Sequence, residues 1–254
     1  MPTVSDVFHK LCEWAPLDLQ MDFDNSGFLV GRGDLELDRV LLALDITLPV
    51  IEEARDLGAR LIVSHHPVIF QSLRQLRDEL PANKALLLAE NGIAAVCMHT
   101  NLDLAEGGVN DVLIRLLGAE PESALDASGC GRIGTLPEAL PLPDFLRICR
   151  DRLGSAGLRY VDAGRPVHRL AVMGGSGGDA LRDAAAMGCD TFVTADLKYH
   201  VLLEAAELGV NLIDADHFCT ENPVMSVLAQ RLREAFPQTE FLLSRRHRQV
   251  VSFF

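Results

Sequence analysis

Short runs of β-branched and aliphatic residues alternate along the chain with stretches whose apolar positions recur at helical spacing. That alternation predicts an α/β protein with mainly parallel strand pairing. Residues 40–46 (VLLALDI) predict a buried strand, Leu48–Leu57 a helix ended by Gly58, and 60–64 (RLIVS) the next strand. A second helix over 83–91, closed by Gly92, leads into a strand at 93–98. Further on the plan recurs. A strand at 169–173 runs into the glycine-rich turn GGSGG (174–178), then a helix at 179–187 closed by Gly188 and a strand at Thr191–Thr194. A helix at 201–208, Gly209 and a strand at 210–213 complete the series.

Two pairs of segments share this order of helix, glycine, strand and polar strand exit. ARDLGARLIVSHH (54–66) matches AAAMGCDTFVTAD (184–196), and LLLAENGIAAVCMHT (86–100) matches LLEAAELGVNLIDADH (202–217). Such self-similarity reads as an internal duplication. Residues 120–143, rich in Pro, Gly, Ala and Ser, hold the best candidate boundary. The expected halves are 1–125 and 126–254, with a C-terminal segment that can return to pack on the first.

Composition bounds the class. Of 254 residues, 48% are apolar and 23% charged, which is globular. No apolar run approaches the roughly 20 residues that span a bilayer. The start, MPTVSDVFHKLCEW, is acidic and lacks the apolar stretch of a secretory signal, so a cytoplasmic protein away from membranes is expected. A net charge of −13 opposes phosphate backbones and argues against a nucleic-acid partner. The one compact basic stretch, SRRHR (244–248), reads as a solvated strand end. Six scattered cysteines without a C-x-x-C pair predict reduced, mostly buried thiols, Cys219 included.

The chemistry gathers where strands end, the place where ligands collect in parallel α/β sheets. Four predicted exits carry His65-His66-Pro67, His99-Thr100-Asn101-Leu102-Asp103, Ala195-Asp196-Leu197-Lys198-Tyr199-His200 and Asp214-Ala215-Asp216-His217. Successive strand residues point to opposite faces, so His65 and His66 converge only if the strand breaks, and Pro67 supplies a break. Imidazoles combined with carboxylates suit Fe, Zn, Mn, Co or Ni. Five donors, His65, His66, Asp103, His217 and Glu221, exceed the needs of one tetrahedral ion and fit a two-metal site.

Structural alternatives stand beside each residue. His-His-Pro can be a capped loop, His99 can bind a backbone carbonyl, and Asp103 can cap a helix over 104–117. Glu221, just before Asn222-Pro223, can complement a helix dipole. Asp24 and Asn25 read either as site residues or as an Asx turn before Gly27. The GGSGG turn can cradle a phosphate with its N–H groups. Asp45, Asn101, Asp196, Lys198 and Asp216 are candidates to orient donors or bind substrate, and His99 or His200 to move protons.

Taken in order, Trp14-Ala15-Pro16, Asp24 through Gly31, Leu44-Asp45-Ile46-Thr47, Ser64-His65-His66-Pro67 and His99 through Asp103 resemble the Nif-three-like family. The likeness continues through Gly174-Gly175-Ser176-Gly177, Thr194 through His200 and His217-x-x-x-Glu221. Bacterial members of that family carry the name GTP cyclohydrolase I type 2 homologue, and the chain looks like their short form. The resemblance implies two intertwined three-layer α/β/α halves. Between them it implies a dinuclear site with His65, His66, Asp103, His217 and Glu221 as ligands, in a ring-shaped homohexamer. Two positions depart from the family pattern: Ala195 and Asp216 stand where glycines are common.

Two functional classes follow. One is a metal-dependent hydrolase acting on a nucleotide such as GTP, a phosphoester or a cyclic amide. The other is a non-enzymatic metal-binding or regulatory protein, such as a metal chaperone or insertase. A hydrogen-bonded core network without metal is the structural alternative to both.

Overall fold

The computed structural model describes residues 1–80 and 82–254. Two compact units divide the chain: Met1–Glu106 with Met225–Arg248, and Gly107–Val224 with Gln249–Phe254.

The first unit opens with α1 (Val4–Trp14). Its capping box has Thr3 Oγ1 accepting the Asp6 N–H while Asp6 accepts the Thr3 N–H. Then come β1 (Gly27–Val30), β2 (Arg39–Ala43), α2 (Leu48–Leu57), β3 (Leu61–Ser64), α3 (Ala82–Glu90), β4 (Ala94–Cys97) and α4 (Thr100–Leu104). The chain returns to this unit with most of helix Pro223–Ala235 and with strand Glu240–Leu243. The sheet runs β1, β4, β3, β2, then 240–243, and every pair is parallel except β1 with β4. Leu41, Ile62 and Ala95 pack under Val50, Ile51, Ala54 and Leu88 of the two helices. Every residue of β3 and β4 is buried, as expected for parallel strands covered on both faces. The strand expected over 40–46 stops at Ala43. Beyond it the Leu44 carbonyl leaves the ladder to accept the N–H groups of both His65 and His66.

The second unit contains α5 (Val109–Leu116), β5 (Ser123–Ala124), β6 (Arg132–Leu140), α6 (Leu142–Leu153), β7 (Arg159–Val161) and β8 (Val167–Val172). It continues with α7 (Leu181–Ala186), β9 (Thr191–Thr194), α8 (Tyr199–Leu208), β10 (Asn211–Asp214) and α9 (His217–Glu221). Its sheet order is β5, β6, β8, β9, β10, β7. Here β8, β9 and β10 are parallel, whereas β5–β6, β6–β8 and β10–β7 pair antiparallel. Phe145, Cys149, Leu170, Val172 and Val193 fill one face of the sheet, and Ile133, Phe192, Leu181 and Leu212 the other.

Both units therefore hold three adjacent parallel strands linked by helices, with an antiparallel strand beside the last: β1 on β4, and β7 on β10. This is the repeated plan seen in the sequence, and the fold is α/β. Pairing is more mixed than the periodicity predicts, because β1, β5, β6 and β7 add antiparallel edges. Residues 120–143 contain β6, a strand of the second sheet, and the change of unit falls at Glu106–Gly107. Helix is also interrupted within 104–117, where Gly107-Gly108 separates α4 from α5. Among the described residues, no helix is long and apolar enough to cross a membrane.

Candidate metal centre

In the first unit the polar residues cluster at the C-terminal edge of the parallel strands. His65 and His66 follow β3, His99 follows β4, Asp45 follows β2, and Asp103 lies in α4. Because β1 is antiparallel, with Gly27 opposite Cys97, Asp24 just before it arrives at the same edge. At His65 and His66 the chain turns on the Leu44 carbonyl, and Ser64 Oγ donates to the His66 carbonyl at 2.8 Å. The turn brings the two rings together, with centroids 5.0 Å apart, and the His99 ring lies 5.2 and 5.5 Å from them. One donor atom from each of these three histidines lies within 4.8 Å of the others, an arrangement able to hold a metal ion. Asp103 Oδ1 stands 3.5 Å from His65 Nε2.

Each ring is anchored through Nδ1. His65, fully buried, meets the Met98 carbonyl at 2.7 Å; His66 meets Asp45 Oδ1 at 2.7 Å; His99 meets Asp24 Oδ1 at 2.7 Å. A carbonyl oxygen only accepts, so His65 carries a proton on Nδ1 and directs Nε2 away from that bond. Burial works against the charge of Asp24, but bonds from His99, Thr100 and Ser26 outweigh it and hold the carboxyl well below the usual range. Asp45 behaves alike, held low against burial by His247 and His66. Both therefore accept as carboxylates, which assigns the Nδ1 protons of His66 and His99 in the same way.

In the second unit His217 and Glu221 occupy the two ends of α9, one helical turn apart on one face, with Nε2 and Oε2 separated by 3.0 Å. His217 Nδ1 meets Asp196 Oδ2 at 2.7 Å. Burial lowers the His217 pKa, but Glu221 and Asp196 overcome it and push it up to about 9. Asp216 caps the helix by accepting the Cys219 N–H at 3.1 Å. Glu221 closes α9 before Asn222 and Pro223 and is buried against the turn at Gly175.

The remaining candidates separate. Asp45, Asp196 and Asp216 contact a histidine or its helix. Asn101 is buried and ties the Ala15 carbonyl at 2.7 Å, joining α4 to the end of α1. Lys198 and His200 are exposed at the start of α8 and, among the described residues, join no bonded network around His217. The GGSGG turn directs three of its N–H groups to side chains of its own unit: Gly174 to Asn110, Gly175 to Thr220 and Gly177 to Thr194. Cys219 is buried in the core and burial pushes its thiol up to about 12.

One participant carries little sequence signal. His247 donates to Asp45 Oδ2 at 3.1 Å across 202 positions of sequence, and its neighbours Ser244, Arg245 and Arg246 gather on Glu53. The segment 244–248 is thus a held turn rather than a solvated strand end.

Comparison with known proteins identifies the family. The family described as Duf34/NIF3 (NGG1p interacting factor 3) matches residues 2–249. A Clostridium perfringens protein named GTP cyclohydrolase 1 type 2 homolog is 32% identical over 98% of this chain and 99% of its own. A Nostoc protein of the same name is 35% identical over 91% of each. The crystal structure of a Staphylococcus aureus hypothetical protein superposes with a TM-score of 0.92 at 27% identity, covering all of both chains. The chain belongs to the Duf34/NIF3 family.

Proposed function

We propose that this chain binds a pair of divalent metal ions and acts as a metal-dependent hydrolase on a nucleotide substrate, GTP first among the candidates. His65, His66, Asp103, His217 and Glu221 are the proposed donors. One observation carries the reading: four imidazoles are held through Nδ1 by a carbonyl or a carboxylate. Metal-binding histidines are oriented in this way, because the outer bond fixes the tautomer and raises the basicity of the other nitrogen. Imidazole with carboxylate suits Fe, Zn, Mn, Co or Ni.

Held by these residues, two such ions would supply an activated nucleophile at neutral pH. The protein's own contribution is placement. Asp45 and Asp196 fix the His66 and His217 rings, and Asp24 fixes His99, whose Nε2 is the group assigned to accept and return a proton. The curated relatives' name supports GTP as the substrate to test, with opening of its imidazole ring and release of formate.

Protein purified without chelator is expected to hold close to two equivalents of a first-row transition metal by elemental analysis. Asp103→Ala and Glu221→Ala are each expected to lose at least one of them. Formate release from GTP by the loaded protein, abolished in both variants, supports the hydrolase. Less than about a tenth of an equivalent of metal in a folded wild-type preparation ends the metal reading. Full metal occupancy without turnover of GTP, phosphoesters or cyclic amides ends the hydrolase and favours the non-enzymatic alternative.

A further inference from the structure

A phosphate cradle needs backbone N–H groups aimed at open space. In the turn 174–178, Gly174 donates to Asn110 Oδ1 at 2.9 Å, Gly175 to Thr220 Oγ1 at 3.0 Å and Gly177 to Thr194 Oγ1 at 2.9 Å. These bonds hold the turn against its own unit. Thr220, one residue before Glu221, also donates its hydroxyl proton to the His217 carbonyl at 2.9 Å, so α9 and the turn are joined through a single side chain.

We infer that this turn is the seat of the Glu221 carboxylate, and that Gly175 is a positioning residue whose missing side chain leaves room for it. The inference rests on the reading of His217 and Glu221 as metal donors. Gly175 has φ +63°, and a Cβ there would fall well inside contact distance of Glu221 Oε1. It would also stand 3.1 Å from both Glu221 Cδ and His217 Nε2. The obstructed atoms are the free end of a long side chain, so the cheapest relief is for the carboxylate to swing away while the backbone stays. Gly177 differs. A Cβ there would meet Thr194 Oγ1 and, at 2.7 Å, Met173 Cβ, which cannot retreat without disturbing the strand. Within one motif, then, one glycine guards the support of the turn and the other guards the donor.

The test compares Gly175→Ala with Gly188→Ala, because Gly188 shares the left-handed backbone (φ +74°) but faces open space. Each carries the same backbone penalty, and only the first crowds Glu221. Cobalt(II) titration of the full chain is expected to show Gly188→Ala at wild-type affinity and Gly175→Ala weakened about tenfold to a hundredfold, the loss typical of a misplaced support. Adding Glu221→Asp, whose shorter side chain clears the new methyl, is expected to recover part of the loss. Wild-type affinity in Gly175→Ala, or an equal loss in Gly188→Ala, overturns the inference. Should the wild type bind no metal, the donor reading falls. The seating claim is then decided by the His217 ring resonances of the chelated protein, which Gly175→Ala must shift and Gly188→Ala must not.

Discussion

Asp196 and Asp216 are the non-glycine residues with positive φ among those described, at 55° and 77°, and both lie at strand exits of the second unit. Backbone of this kind costs on the order of 1–3 kcal/mol and persists where the surroundings enforce it. At Asp196 the return is plain, since its carboxylate holds His217 Nδ1. At Asp216, with ψ 135°, the side chain caps α9 and accepts from Gln249 Nε2. Glycine adopts such angles freely. Replacing an N-cap Asp by Gly costs only a few tenths of a kcal/mol, less than the strain released. Asp216→Gly is therefore expected to stabilise the chelated protein by about 1 kcal/mol, raising Tm by roughly 2–4 °C in calorimetry. A fall in Tm would mean that the cap and the Gln249 bond outweigh the strain.

At the scale of elements, α2 does more than cover the first sheet. Its Glu53 is 6% exposed and receives the Ser244 hydroxyl and the N–H groups of Arg245 and Arg246, at 2.9 and 3.1 Å for the latter two. Burial raises the Glu53 pKa, but these bonds outweigh it and leave the carboxyl below its ordinary value. A carboxyl lowered in the folded state adds stability above its unfolded pKa of about 4.3 and loses it as pH falls through the lower folded value. Glu53→Gln is thus expected to cost about 1–3 kcal/mol at pH 7 in urea unfolding, and the gap from wild type should narrow below about pH 4. A gap constant with pH would show that packing, not charge, holds the segment. The same elements show what the sequence makes legible. The central strands β3, β4, β9 and β10 are short apolar runs closed by polar exits, and their periodicity marks them. By contrast β6 carries Pro137 and Glu138 and shifts register between Thr135 and Leu140, so it reads as linker. The residues proposed as donors stand out in the sequence because they follow the ends of β3, β4 and β10 closely. His247 does not, because nothing local in SRRHR records a bond to Asp45 formed 202 positions away.

On the scale of the molecule, each unit is discontinuous in sequence. The first takes its edge strand from Glu240–Leu243, where Phe241 pairs with Val40 and is buried. A chain ending at Val224 leaves β2 without that partner and strips the cover from the core beneath it. It is expected to bind a hydrophobic dye and to lose the cooperative unfolding of the full chain. A single sharp transition with native near-ultraviolet dichroism in that shortened chain would contradict the interdependence. During synthesis on the ribosome this connectivity imposes an order. All of the second unit except residues 249–254 is made before β2 meets its edge partner Glu240–Leu243, and the imidazole that steadies Asp45 emerges later still. The support that His247 lends to Asp45, and through it to His66, is therefore completed only after every strand of both sheets has been made.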